Sequence, residues 1–221
     1  MTKTDYLGIH ENQYKYFRKI GREAWNDSKS IKLVSDLVLD TIQKHNLSKS
    51  INILELGCGD GELSLSLAKL GYIVSGIDIS PTAIEWAKKK ALERDLKANF
   101  NVGDVLNMDI EDNSYDIVVD SYCLHCIIGK DRSTFLKEIK RILKPEGLVV
   151  GITMSNTIPD DIKPFFNDKR EMVKNGVVGR YIGLSDNILN EFKEEDFEIV
   201  DHSVEKDEGG ADDLKYVCRI N

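Results

Sequence analysis

The chain has 221 residues, 41% hydrophobic and 31% charged, a length and balance that fit one folded domain and exclude wholesale disorder. Its 38 acidic against 30 basic side chains, a net charge of −8, disfavour bulk nucleic acid and anionic membrane as partners. Residues 1–10 carry no apolar targeting segment, no apolar run approaches the roughly 18 residues of a membrane span, and four cysteines make no disulfide framework, so a cytoplasmic location is expected.

In chain order, residues 11–46 are predicted helical, with Ile31, Val34, Leu37, Val38, Thr41 and Ile42 near helical spacing. Ile51 to Leu56 reads as a short buried strand, followed by Gly57-Cys58-Gly59-Asp60-Gly61. Leu63, Leu67 and Leu70 then line a helix that Gly71 closes. A second strand runs from Tyr72 to Ile77 and ends at Asp78. Ser80 is placed to cap the next helix with Pro81 in its first turn, and Ile84, Ala87, Ala91 and Leu92 form its expected buried stripe. Further strands are predicted at 99–102, 115–120 and 148–153, with a helix over 132–143 ended by Pro145 and Gly147. Residues 155–184 read as irregular; a helix at 185–194 and strands at 196–203 and 214–220 finish the chain. Strands rich in Val and Ile, separated by helices, argue for a parallel sheet covered on both faces.

The charge is uneven. Residues 186–213 hold 12 acids and 2 lysines, a local net of −10, which leaves the rest at +2. Those carboxylates are read mainly as a solvated surface.

The glycine-rich turn carries the strongest chemical signal. Three glycines in five residues let the main chain turn tightly and a ligand approach it, with free helix N–H groups behind. The dinucleotide fingerprint is G-x-G-x-x-G, but here the spacing is G-x-G-x-G, and Glu55 and Asp60 would repel a pyrophosphate. A cationic or zwitterionic ligand suits them better.

The segment Glu55-Leu56-Gly57-Cys58-Gly59-Asp60-Gly61 resembles motif I of the class I S-adenosylmethionine-dependent methyltransferases, E/D-x-G-x-G-x-G. Asp78, 17 residues after Gly61, matches the family acid that accepts hydrogen bonds from both ribose hydroxyls. Asp104 matches the residue that meets the adenine amino group, and Ile79 and Val105 flank these positions. Asp120 to His125 resembles the stretch after strand four, and Leu143-Lys144-Pro145-Glu146-Gly147 the turn before strand five, with Glu146 replacing a glycine. The resemblance covers about residues 50–155. It implies a Rossmann-like α/β three-layer sandwich, with a mostly parallel seven-stranded sheet whose last strand is antiparallel. S-adenosyl-L-methionine is the implied cofactor and S-adenosyl-L-homocysteine its product. The expected cofactor-binding set is Glu55, Gly57, Cys58, Gly59, Gly61, Asp78, Ile79, Asp104, Val105 and Asp120.

One domain is expected, organised as an N-terminal helical lid or substrate region (1–49), a cofactor core (50–154), a substrate-side insert (155–184) and a closing helix and strands (185–221). The family geometry places the end of strand four near the methyl group, which makes His125 a candidate base and Tyr122 a base or pocket wall; Asp120 would hold the methionine part of the cofactor or orient the loop. Tyr14, Trp25, Arg180 and Tyr181 are candidate substrate contacts, with aromatics of the N-terminal region and the insert closing over the site. Cys123-Leu124-His125-Cys126 lacks the further ligands a zinc site needs, so no metal is expected. The function read from this pattern is methyl transfer to a small-molecule acceptor. The alternatives are a cofactor-binding regulatory module without turnover, a methyltransferase acting on protein or RNA, and a nicotinamide-dependent oxidoreductase.

Overall fold

The computed structural model describes residues 4–22, 24–25 and 28–220. Its centre is β1 (Asn52–Leu56), which is hydrogen-bonded in parallel to β2 (Ile73–Asp78) on one side and to β4 (Tyr115–Ser121) on the other. β3 (Asn99–Val102) lies outside β2, and β5 (Leu143–Ser155) outside β4, both parallel. β9 (Asp212–Ile220) inserts antiparallel between β5 and β8 (Phe197–Glu205), which completes the order β3-β2-β1-β4-β5-β9-β8. This is the expected seven-stranded sheet. The order reverses at β1, so the C-terminal ends of β1 and β4 diverge and leave the crevice where open α/β sheets bind ligands.

Side-chain alternation splits each central strand between two apolar layers. Leu54, Val118 and Val149 face α5 (Asp131–Ile142) and α6 (Ser185–Glu194), packing with Phe135, Ile139 and Phe192. Ile53, Ile117, Val119 and Val150 face the other way, against Val34, Val38 and Ile42 of α2 (Ser28–Lys44) and Leu63 and Leu67 of α3 (Glu62–Lys69). Burial on both faces explains why these strands read as continuous apolar runs. Among the described residues, no helix is long and apolar enough to cross a membrane.

Several local expectations change in the fold. The helical stretch over 11–46 is two helices, α1 (Tyr6–Lys19) and α2, with Gly21 at φ +70° in the break between them. Leu92 is 84% exposed, outside the stripe of α4 (Pro81–Glu93) that Ile84, Ala87 and Ala91 bury, and Leu70 is also exposed just past α3. β5 begins at Leu143, so Pro145 and Gly147 lie in an irregular first stretch of that strand, where Glu146 takes φ +64° and the register with β4 shifts. The 155–184 segment contains a hairpin, β6 (Glu171–Lys174) and β7 (Val177–Tyr181). Asn175 and Gly176 join them, both at positive φ, the pairing that matches strand twist in a two-residue turn.

Ser80 caps α4 as expected, accepting the Ala83 N–H, with Pro81 in the first turn. An unanticipated partner sits there as well. Glu11 of α1 accepts from Ser80 Oγ at 2.6 Å, Thr82 Oγ1 at 2.8 Å and Thr82 N at 3.2 Å, pinning the N-terminal helix to the positive end of α4. Tyr14 and Phe17 are buried beside it, with the Tyr14 ring against Trp25 and Trp86 at 5.1 and 5.8 Å. Partial burial pushes the Glu11 carboxyl up, but the hydrogen bonds from Ser80 and Thr82 outweigh it and hold the pKa at about 2. A carboxyl depressed in the fold stabilises it above the ordinary carboxylate range and loses that contribution as pH falls toward 2. Glu11→Gln is therefore expected to be less stable than the parent at neutral pH, with the difference closing between about pH 5 and pH 2. Urea midpoints measured across that range check this; a pH-independent difference would assign the effect to packing instead.

Candidate active site

The turn after β1 is built by backbone shape. Gly57, Gly59 and Gly61 take φ of 61°, 53° and 79°, a region other residues enter at a cost of about 1–2 kcal/mol. A Cβ on Gly59 would strike the Tyr14 hydroxyl, and one on Gly61 would lie 2.8 Å from Phe100 and 2.9 Å from Ala87. Asp78, at the end of β2, is 6% exposed and holds this turn by accepting Gly59 N at 2.9 Å through one oxygen, while the other accepts Ser80 N at 2.8 Å. Burial pushes its pKa up to about 6, against those two N–H donors.

These groups border a cavity of about 290 Å³ at the carboxyl ends of β1, β2 and β4. Gly57, Cys58, Gly59, Asp78, Ile79, Asp104 and Val105 lie on its wall from the expected cofactor set, and Tyr14, Trp25, Tyr122, His125 and Arg180 from the expected reaction and substrate set. Asp104 turns one oxygen onto Leu106 N at 2.9 Å. Asp60 also reaches the wall and is ion-paired at 2.8 Å with Lys90, which is paired in turn with Glu62.

Four expected residues lie behind the wall. Glu55 is 3% exposed and caps α3, accepting from Ser64 N and Ser64 Oγ; burial raises its pKa to about 8 despite both bonds. Gly61 is the N-cap of α3, packed against α4 and β3. Tyr181 carries the Arg132 guanidinium 4.6 Å over its ring, because alternation along β7 turns it away from the face that Arg180 presents to the cavity. Asp120 has no exposed surface. It accepts Cys123 N at 2.7 Å and Leu124 N at 3.0 Å through one oxygen and the Tyr216 hydroxyl through the other. Of the two roles weighed for it, its contacts are those of a loop-orienting residue. Burial raises its pKa to about 6.

Asp120 thereby fixes the turn that carries Tyr122 at φ +58° and His125 in the single 3-10 turn Leu124–Cys126. His125 is 4% exposed, and its Nδ1 has no hydrogen-bond partner among the described residues. Burial, then the charge of Arg180, lowers its pKa well below 6.5, so the imidazole is neutral at neutral pH. Burial pushes the Cys126 thiol up to about 11 and the Cys123 thiol well above its ordinary value, which leaves both protonated and poorly nucleophilic. Among the described residues, no three potential metal ligands gather.

His10, Met154, Asp207 and Asp213 also line the cavity and were not anticipated. The last two belong to the acidic 186–213 stretch, read from sequence as solvated surface. Asp213 reaches the site because the antiparallel β5–β9 register sets it opposite Met154. That pairing has no signature in local composition.

The family described as methyltransferase domain matches residues 54–151. The ubiquinone biosynthesis O-methyltransferase of Pasteurella multocida is 30% identical over 164 residues, 68% of this chain and 67% of that protein. Its counterpart in Coxiella burnetii is 28% identical over 150 residues, and this chain spans 63% of its length. Among solved structures, a 1,6-didemethyltoxoflavin-N1-methyltransferase from Burkholderia thailandensis, bound to its acceptor and S-adenosylhomocysteine, aligns with TM-score 0.74 at 18% identity over 98% of this chain and 89% of that one. A Methanosarcina mazei S-adenosylmethionine-dependent methyltransferase aligns with TM-score 0.67 at 24% identity, covering 81% and 96%. The chain belongs to the class I S-adenosylmethionine-dependent methyltransferases. The family's cofactor is S-adenosylmethionine, and the site fits it: the Cβ-free face of Gly59, the doubly anchored carboxylate of Asp78 and the buried Val105 border one cavity.

Asp120→Asn replaces an acceptor by an amide that can serve only part of this network. It is expected to cost about 1–3 kcal/mol of stability, the penalty of a buried hydrogen-bonding group left unsatisfied. Urea unfolding of the variant, with Tyr216→Phe in parallel, checks this; an unchanged midpoint in both would remove the network from the stability of the turn.

Proposed function

We propose that this protein transfers a methyl group from S-adenosylmethionine to a small-molecule acceptor. The observation that supports this most directly is one cavity that joins the glycine turn and Asp78 to a half-enclosed chamber walled by Tyr14, Trp25, Tyr122 and His125. A chamber of that size, covered by α1, suits a small acceptor better than a protein or RNA surface. The names of the Pasteurella and Coxiella relatives make an oxygen acceptor the first to test.

When bound, the cofactor would supply an electrophilic methyl on a sulfonium, open to in-line attack at carbon by an acceptor lone pair, with the carbon–sulfur electron pair leaving on the neutral thioether. In this reading, Asp78 receives the ribose hydroxyls, the turn at Gly57 to Gly59 receives the methionine end, and Ile79 and Val105 flank the adenine beside Asp104. Tyr122 and Trp25 wall the acceptor and Tyr14 closes over the turn. Holding the two reactants in line contributes most, about 7–11 kcal/mol at best. His125, neutral and with Nδ1 unpartnered among the described residues, takes the acceptor's proton where there is one.

Labelled S-adenosylmethionine incubated with small-molecule extracts tests the proposal; cofactor binding without transfer to any pool would favour a regulatory module. Asp78→Ala is expected to weaken S-adenosylhomocysteine binding by about 100-fold, two charge-assisted hydrogen bonds lost. The diol favours the ionised carboxyl, so wild-type affinity should be full above the Asp78 pKa of about 6 and fall as pH drops through it. Calorimetric titration between pH 8 and pH 5 measures both. His125→Gln is expected to lower kcat by about 10²–10⁴-fold with cofactor affinity intact; unchanged turnover would exclude the base role.

A further inference from the structure

Arg180 is a charged side chain on the cavity wall with no hydrogen-bond or ion-pair partner among the described residues. Arg180 stands on β7, on the cavity wall, and its Nε is buried without a hydrogen-bond partner among the described residues. No ion pair engages its guanidinium among those residues, whereas the neighbouring Arg170 and Arg132 both donate to the protein. Arg170 donates to the Ile182 and Asn156 carbonyls, and Arg132 to Glu191 and the Leu124 and Ile127 carbonyls. A buried guanidinium edge without an acceptor costs free energy unless a ligand supplies one.

The groups that feel the Arg180 charge place it in the chamber. It lowers the pKa of His10 and His125 after burial, and lowers that of the Cys126 thiol against burial. These residues belong to α1 and the turn after β4, the side of the cavity where the acceptor is proposed to sit. Both imidazoles are held toward their neutral forms, so Arg180 is a fixed positive charge beside them; Lys29 of α2 is the other cation on the cavity wall among the described residues. The cavity's five carboxylates each have a partner other than Arg180: Asp78 holds Gly59 and Ser80, Asp60 pairs with Lys90, Asp104 accepts Leu106 N, Asp207 accepts Gly209 N, and Asp213 hydrogen-bonds Tyr122.

We propose that the methyl acceptor carries a carboxylate, that Arg180 docks it, and that the unpartnered nitrogen of His125 faces the group to be methylated. The inference rests on the methyltransferase reading above and adds the chemical class of the substrate. A guanidinium takes a carboxylate through two parallel hydrogen bonds, which fixes orientation as well as position. Anchoring one end of a small acid at β7 would then set the distance from its nucleophilic atom to the turn after β4, the positioning an in-line displacement requires. The bound cofactor also has a carboxylate, on its methionine end, and this is the rival occupant.

The test uses the full chain, labelled S-adenosylmethionine and a desalted small-molecule extract, with labelled products resolved by anion exchange before and after esterification of carboxyl groups. The expected result is label in products that bind the exchanger and lose that binding on esterification. Arg180→Gln should lower this transfer at least tenfold at limiting extract, while its Kd for S-adenosylhomocysteine stays within twofold of wild type. The retained Kd shows that the variant is folded, and Arg180→Lys should restore part of the transfer. Label in neutral or cationic products, or undiminished transfer by Arg180→Gln, overturns the inference and leaves the proposed function standing. A loss of S-adenosylhomocysteine affinity in Arg180→Gln at unchanged unfolding midpoint also overturns it, since it assigns Arg180 to the cofactor's carboxylate. Wild-type protein that binds S-adenosylhomocysteine but labels nothing overturns the proposed function, and this inference with it.

Discussion

The left-handed turn between β1 and α3 is the constraint on which the other parts of the site depend. Each of its glycines leaves room for a different element: Gly57 for Cys123 of the turn after β4, Gly59 for the Tyr14 hydroxyl of α1, and Gly61 for Phe100 of β3 and Ala87 of α4. A side chain at any of the three would push apart two elements that the cavity needs together. The same backbone shape turns Gly59 N onto Asp78, so the end of β2 is tied by a hydrogen bond to the turn that leaves its neighbour β1.

Electrostatics follow from burial. Glu55, Asp78 and Asp120 are each nearly or wholly buried, and desolvation raises all three, to about 8, 6 and 6. Each is held by N–H or O–H donors rather than by a full positive charge, which fits groups that fix backbone geometry without filling the site with cations. Tyr216 shows how closely this is packed. Its ring fills the space over Gly151, where a Cβ would clash, and its hydroxyl reaches Asp120 from the antiparallel strand β9. A residue near the C-terminus thus sets the turn carrying His125, a link that runs through 96 positions of sequence.

The N-terminal helix and the β6–β7 hairpin enclose the cavity from outside the sheet. Glu11 anchors the first to the start of α4, and Arg170 ties the second to the segment after β5 through the Ile182 and Asn156 carbonyls. These decorations bring Tyr14, His10 and Arg180 to the wall, and they lie outside the stretch that matches the methyltransferase domain family. The stretch that matches the family therefore supplies one part of the cavity wall, and elements outside it supply the rest.

By itself the sequence determined the alternation of strand and helix, the glycine turn, the Ser80 cap, and the positions of Asp78 and Asp104 at strand ends. These are local matters of backbone freedom, capping and strand burial, and spacing along the chain expresses them directly. Only the tertiary structure decided which side chains meet. It put Asp213 on the cavity wall through the β5–β9 register, turned Arg180 inward and Tyr181 outward, gave Asp120 to Tyr216, and gave Glu55 to Ser64. Each of those outcomes depends on register or on contact between residues far apart in the chain. A one-residue slip of a strand reverses the faces of all its side chains, so no local pattern could have fixed them.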